Sequence, residues 1–253
     1  MSQVILSGDK HDRLCSLRVT LWVISPERCC WLMNLLKAVS MVSAASITLW
    51  TSVGALAGAA LAAYARRLHK SNVCGLLAPR RTAPLLTALA FGLLAWRFGY
   101  QFSLLPYSVL AVIGVSLGLI DLIEQRLPSV LIFSGIVLVG ALLATSAILY
   151  SKGPDFLRAL AGMAMLATFY LVLALVSRGG LGAGDVKLGG LLGLALGWLS
   201  WSALVTGTLL GWFAAGLTWL ILRMTRRKLW GSVVPMGPFL VLGTLVTIIL
   251  MSA

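Results

Sequence analysis

Apolar runs separated by short polar or basic stretches recur along this chain from residue 41 to its end. Most hold about 17 to 25 residues, the length of helix that crosses the hydrocarbon core of a bilayer. In order they fall near Met41–Ala65, Pro84–Trp96, Leu104–Ile120, Pro128–Leu149, Leu157–Val176, Leu188–Trp201, Ala203–Leu222 and Val234–Met251. The pattern predicts an all-α, polytopic transmembrane helix bundle of about eight spans. Residues 1–40 break it. Lys10, Arg13, Arg18, Arg28 and Lys37 mix there with Asp9, Asp12 and Glu27, which predicts a polar, poorly ordered tail ahead of one membrane-embedded domain over residues 41–253. No small-residue cleavage pattern follows the tail, so the first span reads as a retained anchor, and Met33 and Met41 are alternative starts.

Composition agrees with that picture and charge orients it. Hydrophobic residues make up 60% of the chain, against about 45 to 50% in soluble domains. The net charge of +13 would suggest nucleic acid in a soluble protein. Here the basic residues stand in short segments between apolar runs, so the expected partner is an anionic lipid bilayer and no nucleic acid. Arg66, Arg67, Lys70, Arg80 and Arg81 place the first loop in the cytoplasm, and Arg126, Arg178, Lys187 and the Arg223, Arg226, Arg227, Lys228 cluster fall on the same side. The opposite loops carry only Arg97, Lys152 and Arg158. Cys15, Cys29, Cys30 and Cys74 form no Cys-x-x-Cys pair, and His11 and His69 lack neighbouring ligands, so neither a metal site nor a cofactor is predicted.

The candidate chemistry lies in the scarce acids. Of the seven in the chain, those beyond residue 30 are Asp121, Glu124, Asp155 and Asp185. Asp121 ends the third run; Asp185 stands in Gly179-Gly-Leu-Gly-Ala-Gly-Asp-Val-Lys187, a glycine-rich break before the sixth. The alternation of spans brings both to one membrane face. Two carboxylates that meet there hold one proton between them, giving an acid and a base able to activate water against an amide. Gly182 and Gly184 clear side chains from beside Asp185 and admit an extended substrate backbone. Plainer readings stand beside these. Asp185 also suits a helix N-cap, and Asp121 an interfacial acid balanced by Arg126. Glu124 fits a headgroup-level acid paired with Arg126 or Lys187 as well as a supporting role. Lys187 fits either a substrate contact or a headgroup anchor, and Asp155, beside Gly153 and Pro154, fits a turn.

Three segments together resemble the type IV prepilin peptidases, membrane aspartic proteases of the Gly-x-Gly-Asp kind. They are Ile120-Asp-Leu-Ile-Glu-Gln-Arg-Leu-Pro128, Gly182-Ala-Gly-Asp-Val-Lys-Leu188 and Val234-Pro-Met-Gly-Pro-Phe-Leu240. The resemblance covers about residues 41 to 252. It implies that Asp121 and Asp185 are the catalytic pair, with Gly182, Gly184 and Lys187 in the active-site loop. Glu124, Pro128, Pro235, Gly237 and Pro238 would be supporting positions. It also implies a cell-membrane endopeptidase that cuts prepilin-like precursors (type IV, tight-adherence or type II secretion pseudopilins) at the cytoplasmic face, after a glycine ending a short basic leader. Two departures stand out. The stretch Arg66–Thr82 holds one cysteine, Cys74, where many members carry a paired Cys-x-x-Cys insert associated with N-methylation, so methyltransferase activity is not expected. Ser129 follows Pro128 where members often have an acid.

Other readings use the same acids differently. A presenilin-like protease shares Gly-x-Gly-Asp, but Asp121 follows Ile120 rather than Tyr, and no Pro-Ala-Leu is present. A multi-span transporter or noncatalytic assembly scaffold would use the pair as a proton or ion relay, and would be favoured by inverted repeats, which the chain does not display.

Overall fold

The structure is a computed structural model that describes residues 44–68, 79–99, 101–124, 127–177, 182–224 and 235–251. The predicted tail over residues 1–40 lies outside them, as does most of the stretch between the first two apolar runs. Val42–Ala253 forms one compact unit. Its described residues form eight helices: α1 Ala44–Leu68, α2 Pro79–Phe98, α3 Leu104–Glu124, α4 Ser129–Leu149, α5 Gly153–Val176, α6 Ala183–Leu199, α7 Trp201–Met224 and α8 Gly237–Leu250.

The chain is an all-α polytopic membrane protein, but the expectation of about eight spans is wrong. Among the described residues, four helices are long and apolar enough to cross a membrane: α3 over Leu104–Leu122, α4, α5 and α7. The others fall short for identifiable reasons. In α1 the apolar stretch is Ile47–Leu61, and the helix then runs on through Arg66 and Arg67. Helix α2 opens with Pro79-Arg80-Arg81, which leaves Thr82–Phe98 as its apolar part. Helix α6 has 17 residues and spans about 26 Å at the α-helical rise. Helix α8 has 14 residues, about 21 Å, against a hydrocarbon core of about 30 Å. Flanking loop residues lengthened those runs in the sequence: the last one begins at Val234, while α8 begins at Gly237.

Helix α6 occupies the middle of the bundle. Leu188 through Gly197 are all buried, so its apolar character all round serves burial inside protein rather than exposure to lipid. It is lined by α5 on one side, with α3, α4, α7 and α8 around the rest. Small residues allow the closest approach: a Cβ on Gly197 would sit 3.1 Å from the Ala159 Cα, and one on Gly193 would collide with the Gly162 carbonyl. Helices α4, α5 and α7 turn Val137, Leu175, Phe213 and other large apolar side chains outward, the faces that lipid covers in a bundle of this kind.

Candidate active site

The site is built at one end of the bundle, where α3 finishes and α6 and α8 start. Helix α3 extends to Glu124 rather than stopping at Ile120, so Asp121 lies in its last turn, almost fully buried. Asp121 Oδ2 accepts a hydrogen bond of 2.9 Å from the Gly237 backbone N–H. That donor is available because Gly237 opens α8, and the first N–H groups of a helix have no partner within it. The approach depends on missing side chains. A Cβ on Gly237 would stand 2.7 Å from Asp121 Oδ2. One on Gly118, a turn earlier on the same face of α3, would stand 3.2 Å from the Pro238 Cα. Pro235 is buried just before α8, and Pro238 sits in its first turn, where a ring nitrogen wastes no hydrogen bond.

Asp185 lies in the first turn of α6. Gly182, in extended conformation, occupies the N-cap, and its carbonyl accepts the Asp185 N–H at 3.0 Å. The plain N-cap reading of Asp185 therefore does not hold. Its Oδ1 is buried and meets no hydrogen-bond donor among the described residues. Burial pushes the Asp185 carboxyl up to about 6, the negative charge of Asp121 adds to the rise, and the Gly182 N–H opposes it. The two acids thus feel one another across the gap between α3 and α6. Gly184 brings that gap to closure, since a Cβ there would lie 2.7 Å from the Leu127 Cβ, just past the end of α3.

Lys187 makes a contact that neither of its sequence readings named. Its Nζ donates to Ser129 Oγ at 2.8 Å and lies 5.3 Å from the centre of the Phe133 ring, pinning the first turn of α6 to the first turn of α4. Ser129 therefore carries a contact of its own at the position where the sequence departs from the resembled pattern. Pro128 is the extended residue capping α4, and it separates that helix from the end of α3. Glu124 closes α3, while its side chain, like Arg126, lies outside the described part of the structure.

Nothing in the sequence singles out Gly118 or Tyr170. Tyr170, from α5, fills the space over Gly189, one turn below Asp185, and its hydroxyl accepts the Trp212 indole N–H at 3.1 Å. Gly118 and Gly189 carry a signal only in retrospect: each is a glycine three or four residues from an aspartate on a helix, hence on the same face. Among the described residues no group of His, Cys, Asp and Glu is arranged to hold a metal ion.

Residues 108–252 match the Type IV leader peptidase family. The chain is 30% identical over 158 residues to a prepilin leader peptidase/N-methyltransferase of Pseudomonas aeruginosa, covering 62% of this chain and 53% of that protein. It is 32% identical over 155 residues to the protein of the same description from Pseudomonas putida, covering 60% and 52%. The chain thus spans about half the length of these curated relatives. No solved structure matches it.

Proposed function

This chain belongs to the type IV leader peptidase family, and on that footing we propose that it is a membrane aspartic endopeptidase with Asp121 and Asp185 as its catalytic pair. The observation that carries the reading is the convergence of the two acids: the half-buried Asp185 on α6, its Oδ1 buried, is raised first by burial and then by the charge of the buried Asp121 on α3. In the proposed cycle the pair shares one proton, and we place it on Asp185, whose buried Oδ1 meets no donor among the described residues. The ionised member takes a proton from water as it attacks the scissile carbonyl carbon. The protonated member gives its proton to the carbonyl oxygen; the other, now carrying the proton from water, passes it to the leaving nitrogen as the C–N bond breaks, and the first recovers its proton as the carbonyl re-forms. Neither metal nor cofactor is needed for that balance. Gly182 leaves room for an extended substrate strand beside Asp185, Gly184 lets Leu127 pack against the first turn of α6, and Gly237 holds Asp121 in place.

The substrates we propose are prepilin-like precursors of pilus or secretion systems, cut after the glycine of a basic leader at the cytoplasmic face. The basic residues that share the site's end of the chain pattern support that orientation. Methyl transfer, named with the relatives, is not carried over. The test is co-expression of the chain with a prepilin-type precursor in membranes, reading precursor size and the N-terminus of the product. A product beginning directly after the leader glycine is expected; an inserted chain that leaves several such precursors intact would overturn the proposal.

The shared proton also predicts a pH limit. Raising the pH through about 6 ionises Asp185 as well as Asp121, and with both charged there is no general acid. The alkaline limb of kcat/KM should therefore fall with a midpoint near that value, well above the ordinary carboxylate range. Asp121→Asn removes the neighbouring charge, so the Asp185 carboxyl should titrate lower in that variant, as read from its isotope-edited infrared carbonyl band.

A further inference from the structure

The helices that begin at the site are the two shortest of the eight described, and each ends on an arginine borrowed from another helix. The last carbonyls of a helix have no partner within it, and a bilayer offers no water to satisfy them. At the end of α6, Arg158 of α5 supplies the donors: its Nε to the Gly197 carbonyl at 2.8 Å, and its Nη2 to those of Trp198 at 2.7 Å and Leu199 at 3.0 Å. Asp155 steadies that guanidinium from the first turn of α5, 3.0 Å from Nη2, so it is part of a fixed fork rather than a loop turn. At the end of α8, Arg97 from the last turn of α2 donates through Nε to the Ile249 carbonyl at 3.1 Å. A guanidinium suits both tasks, since it stays charged, presents several donors in one plane and favours the negative end of the helix dipole.

From this we infer that Arg97 and Arg158 are positioning residues: they clamp the far ends of α8 and α6, and so set how deeply Gly237 and Asp185 reach toward Asp121. The inference rests on the peptidase reading for its consequence, though not for its geometry. Toward its far end helix α6 meets α5 through Gly162, Gly193, Gly197 and Ala159, where small residues offer little resistance to sliding. A guanidinium bound to three successive carbonyls supplies the longitudinal stop. The clamps also account for two of the three basic residues that break the charge pattern of the loops. They are there to meet helix ends, and the orientation signal is carried elsewhere.

The test uses the full-length chain in membranes with its native cysteines replaced, carrying one of two reporter pairs. Ala167→Cys with Gly190→Cys joins α5 to α6 at an ideal Cβ separation of 3.6 Å, and Gly114→Cys with Val241→Cys joins α3 to α8 at 3.8 Å; both suit a disulfide. Arg158→Gln should slow oxidation of the first pair about fivefold and leave the second unchanged, while Arg97→Gln should slow only the second, because a disulfide tolerates little axial shift. In cysteine-intact protein each Gln variant should lower kcat for precursor cleavage about tenfold with KM within about twofold, since misplacement of catalytic groups acts on the chemical step. The Lys variants, which keep the charge and one donor, should recover part of both losses. Cross-linking rates that do not respond to either Arg→Gln change would overturn the inference, whatever happens to cleavage. Responsive cross-links in a wild-type chain that cleaves no precursor would uphold the clamps and overturn the peptidase reading.

Discussion

Asp121→Asn and Asp185→Asn are each expected to abolish precursor cleavage, lowering the rate by about a thousandfold or more, with the protein still inserted in the membrane. Asparagine keeps the size of aspartate and its carbonyl oxygen, but it can neither take a proton from water nor give one to a leaving nitrogen. A thousandfold loss corresponds to about 4 kcal/mol of transition-state stabilisation. Because the two acids work on one shared proton, their effects should not add: the double variant should be no slower than either single one. Insertion should survive, since a neutral amide is less costly to bury than a carboxylate. The measurement is the ratio of precursor to mature pilin by mass, in membranes containing equal amounts of each variant. Processing at the wild-type rate by both variants would remove the pair from the mechanism.

Those two aspartates were legible in the sequence because acids are scarce in it and because glycines flank one of them. Placing them at one end of the bundle needed only the alternation of runs. The number of spans was not legible, for a physical reason. A helix that is apolar all round reads alike whether protein or lipid surrounds it, and α6 is surrounded by protein. The supporting contacts were hidden by distance along the chain. Lys187 finds Ser129 58 residues away, Asp121 finds Gly237 116 away, and Arg97 finds Ile249 152 away. No local pattern encodes such pairings. Lys187 in particular suggested a substrate or a headgroup contact, and nothing near it in the chain pointed to the additional contact it makes with a hydroxyl two helices away.

Gly237→Ala tests how far Asp121 depends on α8. A Cβ at this position would lie 2.7 Å from Asp121 Oδ2 and 3.2 Å from its Cγ, closer than such atoms come. Either the carboxylate turns away or the first turn of α8 withdraws. Withdrawal is opposed where Pro238 packs on Gly118, and either movement breaks the 2.9 Å hydrogen bond from the Gly237 N–H. A hydrogen bond to a charged group contributes about 1.5 to 3 kcal/mol, so cleavage should fall about ten- to a hundredfold, mostly in kcat. Alanine is otherwise the better helix former, which means that the loss cannot be laid to helix propensity. Gly216→Ala is the matched control: it lies in α7, where nothing stands within 4 Å of the added methyl, and it should leave cleavage unchanged. The decisive comparison adds Gly237→Ala to Asp121→Asn. If Gly237 acts through Asp121, the double variant loses no more activity than Asp121→Asn alone; a further loss would mean that Gly237 serves the site by another route.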